Sequence, residues 1–205
     1  MMAGIGAVLL AAGASTRYAA GNKLLAELSG KPLVAHPAEA IAAAGLDEIV
    51  VVTGRDAAQV RRALAATAVR FAHNDDWAAG MGGSISTGIR ALGAQLSGAF
   101  VVPGDMPLLT PGVLGALRDA FVRARRERIV MPTTAKGAQR NPVLWPRRYF
   151  AELALLSGPE GGKPLLRRHT DQIVEVPVAD PDVFADVDTE EELAAARRRL
   201  ALRAP

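Results

Sequence analysis

Short hydrophobic runs alternate along this chain with longer stretches in which hydrophobic residues recur at helical spacing. The short runs predict buried strands and the periodic stretches predict amphipathic helices. The predicted strands cover residues 5–12, 48–53, 69–72, 98–105, 128–132, 141–145 and 172–178. The predicted helices cover residues 33–44, 57–66, 84–95, 111–126, 147–156, 162–169 and 189–200. Such alternation indicates an α/β fold, in which helices cover both faces of a mostly parallel sheet.

Three local signals mark where helices begin or end. Gly45 follows the first helical stretch, and glycine readily takes the left-handed conformation that ends a helix. Pro111 suits the first position of a helix, because its missing N–H group has no partner there. Thr189 and Glu192 have the spacing of a capping box, in which two side chains bond the free N–H groups of a helix start. No repeat or linker divides the chain, so residues 1–205 are predicted to form a single domain.

Composition excludes several classes of function. Half of the residues are hydrophobic but only 4% are aromatic, so the core must rest on Ala, Val, Leu and Ile. The formal charge of +3 is compatible with anionic substrates and does not require a nucleic-acid partner. The chain contains no cysteine, which excludes disulfides, cysteine-bound zinc and thiolate catalysis.

The hydrophobic start of the chain resembles part of a signal peptide. It lacks the basic residues that precede such a segment, and it is better interpreted as a buried strand. No hydrophobic run approaches the roughly 20 residues of a membrane span. We therefore expect a cytoplasmic protein that does not contact a membrane.

The loop after the first strand carries the first candidate chemistry, because ligands of parallel sheets bind at the carboxyl ends of strands. It has small residues at 11–14 and two cations, Arg17 and Lys23. Small residues let a backbone approach phosphate closely, and Arg and Lys neutralise phosphate charge. The loop is not a Walker A motif, since no Ser or Thr follows Lys23. An ordinary strand-to-helix turn with exposed cations is the alternative.

Two further loops carry carboxylates that are candidates for binding a cation. Asp105 follows a buried strand on the short, stiff turn between Gly104 and Pro107. Mg²⁺ is commonly held by one or two carboxylates and substrate phosphates, which suits Asp105, with a plain Gly-Asp turn as the alternative. Asp186 and Asp188 share a face if their segment is extended. Either is a candidate second ligand, or Asp188 only meets the dipole of the following helix.

The glycine-rich stretch 77–89 could bind an anion or line a substrate site, with Ser84 near a helix start. A flexible surface loop is the alternative. Trp77 and Trp145 fit either a lid or the core. The three histidines lack the spacing of metal ligands.

Together these stretches resemble a known family. "LAAGASTRYAAGNKLL" is similar to the signature L-A-A-G-x-S-x-R-x-G-x-x-K of the Rossmann-like nucleotidyltransferases. The motifs "GMGGSISTGI", "PGDMPLL", "NPVLWPRRYFAEL", "GPEGGKPLLR" and "DVDTEEEL" follow in the order found in molybdenum cofactor cytidylyltransferases. The resemblance runs from residue 6 to about residue 195. It implies a three-layer, Rossmann-like α/β domain with a mostly parallel central sheet.

The resemblance also implies a reaction that joins the CMP of CTP to the terminal phosphate of molybdopterin and releases pyrophosphate. The products serve molybdenum hydroxylases, so a hydroxylase or its maturation factor is the expected protein partner. Carried over by position, Arg17 and Lys23 would hold the triphosphate, and Asp105 and Asp188 would bind Mg²⁺. The remaining substrate contacts would come from Leu10, Ala11, Ala12, Gly13, Gly80, Gly82, Ser84 and Ser86.

Smaller details favour CTP over GTP. The guanylyl-transferring relatives usually carry L-A-G-G in the first loop and Asp before the Lys, whereas this chain has Ala12 and Asn22. "GDMP" also suits the cytidylyl branch. Tyr18 and the spacer "YAAGNK" depart from the signature, and His36-Pro37 interrupts a segment that is normally helical. The alternatives are a GTP-using enzyme, a sugar or isoprenoid phosphate as acceptor, and a non-catalytic chaperone of the molybdenum cofactor.

Overall fold

A seven-stranded sheet forms the centre of the computed structural model of this protein, which describes residues 4–13, 15, 18 and 21–203. Seven of the nine strands in the described residues belong to this sheet. The nine strands are β1 (Ile5–Ala11), β2 (Glu27–Leu28), β3 (Lys31–Pro32), β4 (Glu48–Thr53), β5 (Arg70–His73), β6 (Gly98–Pro103), β7 (Ile129–Thr133), β8 (Val143–Pro146) and β9 (Ile173–Pro177). The α-helices are α1 (Ala35–Ala43), α2 (Ala57–Ala63), α3 (Met81–Ala91), α4 (Pro111–Arg123), α5 (Phe150–Leu153), α6 (Lys163–Arg168) and α7 (Glu190–Arg203).

The order of strands in this sheet is β5-β4-β1-β6-β8-β7-β9, and β2 pairs with β3 in a separate hairpin. Neighbouring strands run parallel except at β8, which is antiparallel to both β6 and β7. The predicted α/β fold with a mostly parallel sheet is therefore confirmed. Because β1, β4, β5 and β6 are parallel, their carboxyl ends meet at one edge of the sheet.

Alternate residues of β1 supply the hydrophobic core on the two faces of the sheet. Ile5, Ala7 and Leu9 belong to a cluster that also contains residues of α1, α4 and α7. Val8 belongs to a second cluster, with residues of α3, α5 and α6. Successive side chains of a strand point to opposite faces, so both faces need cover. The helices provide it, which gives the predicted three layers.

The predicted helix boundaries are confirmed at three places. Gly45 has a φ of 65° and follows Ala44, the C-cap residue of α1. Pro111 is the first residue of α4. The Thr189 N–H group donates to Glu192 Oε2 at 2.9 Å, and the Glu192 N–H group donates to Thr189 Oγ1 at 3.2 Å. These reciprocal bonds are those of a capping box.

The start of α3 differs from the prediction. The helix begins at Met81, three residues before the predicted start at residue 84, so part of the glycine-rich stretch is helical. The Gly82 N–H group donates to the carbonyl oxygen of Gly158 at 2.9 Å. A Cβ atom at Gly82 would lie 2.4 Å from the Ser157 carbonyl oxygen. Contact with a distant segment therefore requires this glycine, which local composition could not reveal.

His36 and Pro37 do not interrupt the first helix. Both lie in the first turn of α1, where a proline N–H group would have no helical partner in any case. None of the helices in the described ranges combines the length and apolar character that crossing a membrane requires.

Candidate active site

A large cleft of about 1550 Å³ opens at the carboxyl edge of the sheet. All four loops that the sequence singled out contribute to its wall, through residues within 10–15, 77–84, 103–106 and 184–188. Residues within 131–141 and 159–170 line the rest of it. The volume exceeds the roughly 300–1,000 Å³ of a pocket for one small ligand. The cleft therefore has room for two substrates side by side.

Asp105 reaches the cleft because the end of β6 packs closely on the end of β1. The Gly104 N–H group donates to the carbonyl oxygen of Leu10 at 2.9 Å. A Cβ atom at Gly104 would lie 2.6 Å from that same oxygen, so only glycine fits here. The turn after β6 is thereby held against the first loop, with Asp105 beside it.

Asp188 is brought to Asp105 by a backbone hydrogen bond. The Val187 N–H group donates to the carbonyl oxygen of Asp105 at 3.0 Å, and the Val187 side chain is fully buried. The Asp188 N–H group donates to Glu192 Oε2 at 2.7 Å, as part of the start of α7. Two carboxylates that are distant in sequence therefore become neighbours.

Lys23 is positioned by hydrogen bonds within the first loop. The backbone N–H group of Lys23 donates to Ser15 Oγ at 3.1 Å. Asn22 Oδ1 accepts the Leu24 N–H group at 3.0 Å, which starts a short 3₁₀ turn over Lys23–Leu25. Asn22 Nδ2 donates to Asp56 Oδ2 at 2.9 Å, so the loop is tied to the start of α2. An Asp in place of Asn22 could not donate this bond.

The three side chains form one charged cluster. Lys23 Nζ lies 2.7 Å from Asp105 Oδ2 and 2.5 Å from Asp188 Oδ1. The side chains are 13%, 23% and 18% exposed, so the cluster is shielded but open to the cleft. Burial alone would lower the pKa of Lys23, but the charges and hydrogen bonds of both carboxylates outweigh it and raise that pKa. Lys23 is therefore positively charged at neutral pH.

One atom of the cluster remains unsatisfied. Asp105 Oδ1 is buried and has no hydrogen-bond partner among the described residues. Buried polar atoms are normally paired, and an exception calls for an explanation such as an ion or a ligand group. An oxygen atom in this state is suited to bind a cation.

The model of the MobA-like NTP transferase domain family matches residues 7–173. The chain belongs to this family. Relatives include the bifunctional protein GlmU of Rhizobium etli, 37% identical over 117 residues, which are 56% of this chain and 26% of that protein. A probable molybdenum cofactor guanylyltransferase of Thermococcus kodakarensis is 37% identical over 126 residues, which are 60% of this chain and 56% of that protein. The matched part of the chain thus spans a quarter to about half of these relatives.

Solved structures agree with the MobA-like fold. The structure of Rv0371c from Mycobacterium tuberculosis H37Rv is 24% identical, with a TM-score of 0.82, and the match covers 97% of this chain and 100% of that one. The same protein has also been solved in complex with manganese. At this identity the likeness shows a shared fold. It confirms the Rossmann-like nucleotidyltransferase architecture that the resemblance implied.

The predicted substrate contacts separate into two groups in this MobA-like domain. Five of them line the cleft: Leu10, Ala12, Gly13, Gly80 and Ser84. Three do not line it and instead have packing roles. Ala11 is buried among core residues, Gly82 packs on the 157–158 segment, and Ser86 Oγ donates to the Ala154 carbonyl oxygen at 2.6 Å. Arg17 lies outside the described residues.

Several cleft residues of the MobA-like domain carried no role in the sequence prediction. Arg140 and Lys163 bring cations to the end formed by β7 and α6. The signal for Lys163 was a Gly-Gly-Lys sequence at the start of the predicted helix 162–169, within the motif "GPEGGKPLLR". Trp145 is 2% exposed and belongs to the core, whereas Trp77 lines the cleft and also packs against the core cluster that contains Val8. Among the described residues, no group of three or more acidic or His side chains forms a metal site.

Proposed function

We propose that this MobA-like domain transfers CMP from CTP to the terminal phosphate of molybdopterin, with Mg²⁺ as its metal ion. The observation that carries the proposal is the cluster of Lys23, Asp105 and Asp188 at the mouth of the parallel sheet. It combines a cation for phosphate with carboxylates for a metal, in a cleft that has room for two substrates. These are the parts that phosphoryl-type transfer requires.

The carboxylates fit a magnesium ion. Mg²⁺ prefers oxygen ligands and is usually held by one or two carboxylates together with substrate phosphates. Asp105 and Asp188 supply two carboxylates at one point, and Asp105 Oδ1 is buried without a partner among the described residues. When bound, Mg²⁺ would neutralise charge on the phosphate oxygens.

The protein groups would act by position and charge. An oxygen of the acceptor phosphate forms a bond to the α-phosphorus of the nucleotide, and the bond from that phosphorus to the β-phosphate oxygen breaks, releasing pyrophosphate. Lys23 would stabilise negative charge on the phosphate oxygens during this displacement. The small residues Ala12 and Gly13 would let the triphosphate approach the backbone. No covalent intermediate with the protein is needed, which agrees with the absence of cysteine.

Two cations at the end of the cleft formed by β7 and α6 support a phosphorylated acceptor. Arg140 and Lys163 line this end, and no carboxylate partner is seen for either of them among the described residues. Arg167, also in the wall, is by contrast paired with Glu160 at 3.0 Å. Cations without a carboxylate partner suit an anionic ligand. The choice of molybdopterin rests on the family resemblance and on the named guanylyltransferase relative.

The choice of CTP rests on Ala12 and on the "GDMP" sequence. Asn22 supports CTP less strongly than the sequence suggested, because its hydrogen bond to Asp56 gives a structural reason for an amide at this position. GTP is the second candidate, favoured by the 37% sequence identity with the probable molybdenum cofactor guanylyltransferase of Thermococcus kodakarensis. A cytoplasmic location and delivery of the product to a molybdenum hydroxylase or its maturation factor complete the proposal.

A pyrophosphate-release assay with molybdopterin and each of the four common NTPs tests the function. We expect release with CTP, together with a dinucleotide product identified by its mass, and little release without the acceptor. Release with GTP alone would establish the second candidate. If molybdopterin binds but no NTP reacts, the protein is a chaperone of the cofactor and the proposal fails. Asp105→Asn, assayed at low Mg²⁺ concentration, provides the low-activity control.

A further inference from the structure

The ammonium group of Lys23 lies against the same carboxylates that would bind the metal. Lys23 Nζ contacts Asp105 Oδ2 at 2.7 Å and Asp188 Oδ1 at 2.5 Å. Mg²⁺ binds its oxygen ligands at about 2.0–2.1 Å. An ion on these oxygens would therefore lie within a few ångströms of the ammonium group. Like charges at that distance repel strongly in a partly shielded site.

A charge count indicates what Lys23 does to this site. Asp105 and Asp188 together carry two negative charges, and Lys23 offsets one of them. Within this group of three side chains the ammonium group thus halves the net negative charge that would attract a divalent cation, and it also contacts two of the carboxylate oxygen atoms. Lys23 therefore weakens the metal site for as long as it stays between the carboxylates.

A nucleoside triphosphate would change this balance. Its phosphates compete with the carboxylates for Lys23 and provide further oxygen ligands for the metal. The backbone of Lys23 is held by Ser15 Oγ, but its side chain has a flexible four-carbon stem and borders the open cleft. The ammonium group can therefore move while its loop stays in place.

We propose that Lys23 competes with the metal ion in the nucleotide-free protein and is released by the triphosphate, so that metal and nucleotide bind cooperatively. This inference rests on the proposed function, because it assumes a metal at Asp105 and Asp188. Cooperativity of this kind is reciprocal: the nucleotide strengthens metal binding by the same factor as the metal strengthens nucleotide binding.

Binding of Mn²⁺ to the protein without substrates tests the competition, with free Mn²⁺ measured by electron paramagnetic resonance. Lys23→Met removes the charge at similar side-chain length, and Lys23→Gln is a second variant that keeps a donor for the carboxylates. We expect both to bind Mn²⁺ at least about tenfold more tightly than the wild type, since a like charge is lost beside the ion. Addition of Asp105→Asn to Lys23→Met should abolish this gain.

Lys163→Met is the matched control. It removes the same charge from the same cleft, and Lys163 has no bond to Asp105 or Asp188 among the described residues. Its Mn²⁺ affinity should equal that of the wild type. Circular dichroism and thermal melting establish that each variant is folded.

Two readouts with opposite signs distinguish competition from a structural role. In the Lys23 variants Mn²⁺ affinity should rise, while turnover should fall about 10²–10³-fold if Lys23 also stabilises the transition state. Mn²⁺ affinity that is unchanged or weaker in both folded Lys23 variants would overturn the competition. The proposed function fails by a different measurement: the wild-type protein would then release no pyrophosphate, whatever its affinity for Mn²⁺.

Discussion

Asp105 and Asp188 are the residues on which the proposed metal site depends most directly. The bond from Val187 to Asp105 holds them together, so we expect them to share one ion. Asp105→Asn and Asp188→Asn should each raise the Mg²⁺ concentration needed for half-maximal rate. The double variant should lose clearly less free energy of activation than the sum of the single losses, because both changes damage the same site.

Asp186→Asn is the control for this residue pair. Asp186 also lines the cleft, but Lys23 is bonded to Asp188. The Mg²⁺ requirement of Asp186→Asn should stay close to that of the wild type. An equal or larger increase would move the second ligand to Asp186, and additive losses in the double variant would contradict a shared ion.

Lys163 should act on the acceptor and not on the nucleotide. If it binds the acceptor phosphate, Lys163→Gln removes a charge-assisted hydrogen bond that contributes about 1.5–3 kcal/mol. The KM for the acceptor should rise by roughly 10–100-fold, and the KM for CTP should change little. Arg168→Gln is the control on the same helix, since Arg168 pairs with Glu152 at 3.0 Å and does not line the cleft. An effect on CTP alone would place Lys163 at the wrong substrate.

At the scale of elements, the packing of α3 on the sheet depends on Gly88. A Cβ atom at this position would lie 2.2 Å from Val8 Cγ1 and 2.9 Å from Val52 Cγ2, both fully buried in the sheet. Gly88→Ala should therefore destabilise the protein by about 1–3 kcal/mol through overpacking. The loss is measured as the free energy of unfolding in urea.

Gly115→Ala is the matched control, because Gly115 lies inside α4 with nothing within 4 Å of an added Cβ atom. There alanine should be neutral or stabilise the helix by up to about 1 kcal/mol. Equal effects of the two substitutions would mean that the contact of α3 with Val8 and Val52 does not limit stability.

The start of α1 should make stability depend on pH. His36 Nε2 donates to the carbonyl oxygen of Leu28 at 2.8 Å, which ties α1 to the β2–β3 hairpin. Burial lowers the pKa of His36 and Lys31 adds to this, although the bond to Leu28 and the charge of Glu39 oppose it. The unfolded chain therefore takes up a proton first, and the free energy of unfolding should decrease as the pH falls below about 6.5.

Urea unfolding of the wild type and of His36→Gln at pH 7.5 and 5.5 measures this contribution. The decrease between the two pH values should be smaller in the variant, which has no group that titrates at this position. An identical decrease in both proteins would assign the pH dependence to other residues.

At the scale of the whole molecule, the preference for CTP over GTP should be a property of the pocket near residues 10–13. We expect a higher kcat/KM with CTP than with GTP at one Mg²⁺ concentration, because the pocket edge with Ala12 would accept a pyrimidine better than a purine. Ala12→Gly should narrow the difference. A GTP value equal to or above the CTP value would move this protein to the guanylyl branch.

The sequence did not predict the β2–β3 hairpin, but it located the strands of the main sheet and the α-helices to within a few residues. β4 covers Glu48–Thr53 as predicted, and the capping box at Thr189 and the glycine after α1 are confirmed. These signals act over a few neighbouring residues, so they can be seen without the fold. The reversed direction of β8 and the early start of α3 depend on contacts with distant segments, and only the structure shows them.

For the candidate site, the sequence by itself determined which chemical groups lie at the ends of the strands, among them Lys23, Asp105 and Asp188. Only the tertiary structure decided that these three form one cluster, since Lys23 is 82 positions from Asp105 and 165 from Asp188. It also decided that Ser86 bonds the Ala154 backbone and lies away from the cleft. The physical reason is that a motif specifies a side chain and its local backbone, whereas its direction and neighbours are set by the packing of segments far apart in the chain.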